Sequence, residues 1–319
     1  MIGRLALAAC LAAAAVSPAA ACQQSDDAER VPSAAGSAVV PPPARQETSQ
    51  QCDRRASLRP QGPLPAPGLM PAGSTMARIV ERGRLIAGVD QNTYLFGFRD
   101  PFRGGLEGFD IDIVRDVAEA MLGDRNRVEF RVVDIVDRVR VVADGQVDLV
   151  VATTTITCDR RDQVEFSIVY FEAGQRVLVN ERSAVTGIDD LGKTRVCAPR
   201  GSTSLQNLVR APSRPIPVGV ANISDCLVLL QLGEVDAVSA HDSLLGGLAA
   251  QDPRTTIVGE RFVEEPYGVA INRGDPDLVR FVNAVLERRM ADGKWRASYE
   301  RWLGPLGRSP QPPQPRYRD

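Results

Sequence analysis

Beyond residue 84 the chain alternates between two periodicities. "RLIAGV" (84–89) is a short, nearly continuous apolar run and predicts a strand. "FDIDIVRDVAEAML" (109–122) instead places Ile113, Val114, Val117, Ala118 and Met121 on one helical stripe. "RVEFRVV" predicts a strand, "DRVRVVADG" a helix closing at Gly145, and "VDLVVAT" a continuous apolar strand of the kind covered on both faces in parallel sheets. The order then recurs: "TRVCA" (194–198) as strand, "STSLQNLVR" as helix, "IPVGV" as strand, "SDCLVLLQLG" as helix and "VDAVSA" as strand. Gly145-Gln146-Val147-Asp148-Leu149-Val150 and Gly233-Glu234-Val235-Asp236-Ala237-Val238 share one layout, a glycine-closed helix feeding an apolar strand through a Val-Asp pair. Two common αβ turns could coincide this way. Taken as a repeat, the pattern predicts an α/β chain of two similar lobes.

In open α/β sheets, ligands bind beyond the carboxyl ends of the strands. The first lobe offers Thr153 to Arg160 ("TTTITCDR") at such an edge, and the second offers Ala240-His241-Asp242. If the two edges face each other, they line one cleft. Hydroxyls, strand-end carbonyls and a forked guanidinium are suited to a small carboxylate leaving water.

The bulk composition narrows the class. A net charge of −2, with 24% charged and 44% hydrophobic residues, describes a soluble globular protein and gives no basic patch for nucleic acid. The amino terminus, "MIGRLALAACLAAAAVSPAAAC", has Arg4 before an apolar stretch from Leu5 to Val16, the layout of a secretory leader over residues 1–21. "AAAC" at Cys22 resembles a lipobox, with Ala19 where leucine is usual; "LAAC" at Cys10 fits the motif better but would require a start further upstream. The expectation is lipidation at Cys22, anchoring the protein on the outer face of the cell membrane. Residues 22–74, rich in proline, alanine, serine and glutamine, are expected to form a flexible tether.

Of the six cysteines, Cys10 and Cys22 fall in or at the end of the leader, leaving Cys52, Cys158, Cys197 and Cys226. In an exported chain four cysteines favour two disulfides, with three possible connectivities. Cys197–Cys226, within one predicted unit, is the expected pair, and Cys52–Cys158 follows by elimination. With no CxxC and one histidine, neither a metal site nor any cofactor is expected.

Seven segments in order carry a resemblance: "LFGFRDP" with "GFDIDI", "VDLVVATTTITCDRR", "VEFSIVYFEAGQRVLV", "RVCAPRGSTS", "DCLVLLQLGEVDAVSAHD", "PYGVAI" and "DGKWRASYERWLG". Over about residues 80 to 305 the chain resembles the type-3, polar amino-acid solute-binding proteins of ABC importers, and is most similar to the glutamate/glutamine-binding lipoproteins of high-GC Gram-positive bacteria. The resemblance implies a periplasmic-binding-protein type II fold. Its lobes would be mixed, mostly parallel sheets, the first spanning 75–172 and 263–319 and the second 173–262. The hinge crossings would fall near 171–177 and 263–269. It implies a monomer that is not an enzyme, delivering an amino acid to a permease and its ATPase.

The same resemblance assigns site residues. Arg160 would grip the ligand α-carboxylate, with a surface salt bridge as the alternative and Arg161 one register away. Thr155 would share that carboxylate, and the Thr153 carbonyl would receive the ammonium group. Tyr94 and Phe96 would form an aromatic wall, with core packing as the alternative, and Asp90 would contact the ligand. Ser202 and Thr203 would take the ligand's side chain at a helix start, where Ser202 could equally be an ordinary N-cap; Arg200 would add charge there or face solvent. Where relatives read "DAVSTDD", this chain has His241 in place of the first aspartate, and Asp242 is expected to substitute for it. A sensor subunit reporting to a membrane receptor would show the same cleft. A dehydratase on this fold would draw its acid or base from His241, Glu107 or Asp242.

Overall fold

The computed structural model describes residues 52–307 and 309–318; the leader, Cys22 and the tether as far as residue 51 lie outside them. In chain order the first lobe contains β1 (Ala56–Leu58), α1 (Thr75–Arg82) and β2 (Leu85–Val89). There follow a small antiparallel sheet of β3 (Asn92–Thr93), β4 (Gly97–Arg99) and β5 (Leu106–Glu107), then α2 (Phe109–Leu122), β6 (Val128–Val132), α3 (Arg138–Ala143), β7 (Leu149–Val151), α4 (Cys158–Arg161) and β8 (Glu165–Phe166). The stripe read from sequence on α2 is buried along its length, and Gly123 ends the helix in the left-handed region that a side chain would disfavour.

The chain crosses on β9 (Phe171–Asn180) into a second unit of β10 (Arg195–Pro199), α5 (Thr203–Arg210), β11 (Ile216–Val220), α6 (Ile223–Gln231), β12 (Ala237–His241) and α7 (Asp242–Gln251). It returns on β13 (Thr255–Tyr267) to β14 (Ala270–Ile271), α8 (Pro276–Ala291) and α9 (Lys294–Trp302), and ends on β15 (Arg316–Arg318). The crossing strands pair antiparallel, with Gln175 opposite Val263 and Phe171 opposite Tyr267. Both segments read as hinges therefore lie side by side.

The two five-stranded sheets, in the orders β6-β2-β7-β14-β8 and β11-β10-β12-β9-β13, have one pattern of pairing. Each has two parallel pairings followed by two antiparallel ones, so the sheets are mixed rather than mostly parallel. Returning strands cause this, because a chain that crosses and comes back must enter each sheet against the others. The Val-Asp repeat has a bonding basis. The Asp148 carboxylate accepts the Ile86 N–H at 2.7 Å while its own N–H donates to the Ile86 carbonyl; Asp236 makes the same two bonds with Arg195. In both lobes an aspartate before the strand thus locks the register of its parallel neighbour.

Disulfides join Cys197 of β10 to Cys226 of α6 and Cys52 to Cys158 of α4. The second lies in a stretch read as tether, and that reading needs correction from Cys52 onward. β1 pairs parallel with β15, and the Ser57 hydroxyl donates to the Phe166 carbonyl at 2.6 Å. The Asn283 amide donates to Ser57 and Leu58. Composition missed this strap because three residues of strand, fixed by partners more than a hundred positions away, leave no periodicity.

Candidate functional site

On the first lobe the site is built from the turn that follows β7. Thr153 has φ +46, a left-handed conformation that β-branched residues avoid, so the surroundings must hold it there. Its N–H donates to the Asp110 carboxylate at 2.7 Å, and Tyr170 donates its hydroxyl to the other oxygen at 2.9 Å. Burial of Asp110 raises its pKa to about 7 despite those two bonds. The reversed turn sends Thr155 towards the second lobe, and Thr157 caps α4 by accepting the Arg160 N–H. Arg160 then reaches back across the turn, donating to the Thr155 carbonyl at 2.8 Å and to the Gly201 carbonyl of the second lobe at 3.4 Å. Burial, with the charge of Arg138 second, brings the Arg160 pKa down to about 10.

Arg161 is turned away. It donates to the carbonyls of Arg54 and Ala56 and so holds the amino-terminal strap, whereas Arg160 is the one of the two that reaches the second lobe. Asp90 is also engaged: Arg138 donates to it at 2.6 Å, and the Thr93 hydroxyl and Asn92 N–H add bonds to the same carboxylate.

On the second lobe Thr203 faces the first. Its hydroxyl lies 3.5 Å from that of Thr155, 3.2 Å from His241 Nε2 and 2.9 Å from the Glu265 carboxylate. His241 Nδ1 pairs with the Tyr267 hydroxyl at 2.6 Å, and burial lowers the histidine pKa below its usual value. Asn92 also bonds Asn222 across the lobes at 2.9 Å, and Val136 lies against Gly201, so the lobes meet. A cavity of about 210 Å³ opens at this junction, with Thr155, Thr203, Asn207 and Glu265 in its wall and Arg54 of the strap at its edge.

The structure brings Arg160, Thr155, Thr203 and His241 together, with the Thr153 turn behind them. The sequence assignments of five residues require correction. Asp242 does not take the place left by His241: Arg261 donates to it at 2.5 Å and the Gly174 N–H at 3.2 Å, on the far side of the hinge strands. Arg200 is exposed and donates to the Gly219 carbonyl, following β11 rather than the cleft. Phe96 is fully buried, its ring edge-on to Phe109, Phe171 and Tyr267, and packs core. Tyr94 is 38% exposed and packs edge-on with Phe98. The Ser202 hydroxyl is occupied by capping, accepting the Leu205 N–H and donating to the Pro199 carbonyl. Sequence reading did not single out Glu265, which was visible as a carboxylate inside the hinge segment "VEEPYGV", nor Asp110 and Arg138, whose partners lie 43 and 48 residues away.

Two α/β lobes on a pair of antiparallel crossing strands, with a desolvated guanidinium where they meet, define a hinged solute-binding protein. A family model matches residues 85–305, and the chain belongs to the bacterial extracellular solute-binding proteins, family 3. It is 36% identical to the ABC transporter glutamine-binding protein GlnH of Bacillus subtilis over 72% of this chain and 84% of that one. It is 28% identical to the glutamate-binding protein GluB of Corynebacterium efficiens over 75% and 84%. Among solved structures, an ancestral amino acid-binding protein described as a precursor of cyclohexadienyl dehydratase superposes with a TM-score of 0.66 at 30% identity, covering 72% of this chain and 99% of that one.

Proposed function

We propose that this protein captures glutamate, glutamine, aspartate or asparagine in the inter-lobe cleft and delivers it to the permease and ATPase of an ABC importer. Arg160 carries the reading. Its guanidinium is half-buried at the lobe junction, bonded to two carbonyls, with no carboxylate partner among the described residues. Removing a cation from water without a counter-charge is unfavourable, and a ligand carboxylate supplies that charge through a charge-assisted, two-pronged hydrogen bond. Thr155 and Thr203, on opposite sides of the junction, would complete the polar wall. The glutamine- and glutamate-binding relatives support the ligand class. Closure of the lobes on the hinge strands would create the surface a permease reads. A lipid on Cys22, with the tether behind it, would hold the protein, as a monomer, on the outer face of the membrane.

Titration calorimetry of the purified chain against the twenty amino acids tests this. Saturable binding confined to acidic and amide side chains is expected, with the ligand recovered unchanged. Turnover would favour the chemistry named for the dehydratase precursor, and the absence of binding by folded protein would end the proposal.

A further inference from the structure

The Glu265 carboxylate is 1% exposed and lies in the wall of the junction cavity. Its partners are the Thr203 hydroxyl at 2.9 Å, the Asn207 amide at 3.2 Å and the His241 ring at 3.4 Å. The first two are uncharged, and burial favours the neutral form of the histidine. Among the described residues no lysine or arginine pairs with Glu265. A carboxylate sealed from water with only neutral partners is costly unless a cation joins it.

Arg160 stands at the same junction, bonded to two carbonyls and to no carboxylate among the described residues. The two groups feel each other electrostatically, yet no ion pair joins them. The junction therefore holds a half-buried positive and a buried negative charge with no ion pair between them, and the hydroxyls of Thr155 and Thr203 meet there at 3.5 Å. The α-carbon of an amino acid carries the complementary arrangement, a carboxylate and an ammonium group on one atom. We propose that Glu265 is the specificity-determining residue that receives the ligand's ammonium group, while Arg160 receives the carboxylate. The hinge strand itself then supplies a ligand contact, because Glu265 lies on β13 two residues before Tyr267, the antiparallel bridge partner of Thr155. Thr203 and Asn207, both on α5, orient the carboxylate from the second lobe.

This inference rests on the amino-acid reading above, and calorimetry on the full chain separates the two. The probes are L-glutamate and L-aspartate with their counterparts lacking the amino group, glutarate and succinate. The wild-type chain should bind the amino acids at least 100-fold more tightly than the diacids. E265Q should lose most of its affinity for the amino acids and keep that for the diacids, so the discrimination collapses. Discrimination that survives in E265Q, or equal losses for both ligand types, would overturn the assignment while leaving amino-acid binding intact. Wild-type protein that binds none of the amino acids would overturn the functional reading itself. Should E265Q not fold, E265D and H241D/E265Q carry the test. E265D should weaken amino acids selectively by withdrawing the charge one methylene, and H241D/E265Q should restore discrimination from the adjacent strand; uniform losses in both would again overturn it.

Discussion

Consecutive arginines at 160 and 161 have different work because their neighbours differ. Arg161 holds two carbonyls of the strap, whereas Arg160 meets the second lobe. The residue types around Arg160 were legible because hydroxyls and a guanidinium after an apolar strand have few other uses. The direction of Asp242 was not. Adjacent residues at the end of a strand point to opposite faces, so the aspartate next to His241 was bound to miss the cleft that the histidine enters. His241 gives a pH prediction. It is faced by Glu265 and Asp242, which favour its charged form, by Arg160 and Arg138, which oppose it, and by the hydroxyls of Tyr267 and Thr203. Burial dominates and lowers its pKa below 6.5, so the ring is neutral at pH 7 and gains a proton only as pH falls. Ligand affinity measured by calorimetry should stay level from pH 8 to about 6.5 and weaken below that, as a new positive charge develops beside the ammonium site. A binding constant that stays flat from pH 8 down to pH 5.5 would place His241 outside the ligand's reach.

Among the elements, strands and helices with their own period were readable, and those fixed only by distant partners were not. The β10–α5–β11–α6–β12 series follows the sequence runs closely, while β1 and β15 were missed because each is three residues long and exists through the other. The Cys52–Cys158 bond closes 106 residues and Cys197–Cys226 closes 29. In the chain-entropy description these contribute up to about 4.7 and about 3.5 kcal/mol respectively. Serine at both positions of the first pair should therefore lower the urea midpoint more than the same change at the second; the reverse order would mean the strap is held by its strand pairing alone. Gly201 has φ +74, and a Cβ there would lie 2.7 Å from Val136 across the junction. G201A should weaken ligand binding by about tenfold by obstructing closure, and V136A should return part of that loss. Unchanged affinity in G201A would show that the lobes need not meet at this point.

At the scale of the whole molecule, the two-lobed plan was foreshadowed by the Val-Asp repeat because that repeat has a structural task in each lobe, locking one parallel strand to the next. The mixed character of the sheets was hidden, since no local pattern records that β9 and β13 run back against their neighbours. The same crossing strands place Glu265 and Tyr267 beside Thr203 and His241, so the hinge and the site share residues. A ligand held between the lobes would stabilise the closed form in proportion to the logarithm of its concentration over Kd. The most direct measurement is paired calorimetry of wild-type chain and R160A against the acidic and amide amino acids, with circular dichroism confirming the fold of each. The wild type should bind at least one of them saturably, and R160A should lose at least 100-fold, the scale of a buried charge-assisted pair worth about 3 kcal/mol. Equal binding by a folded R160A would contradict the account at its centre.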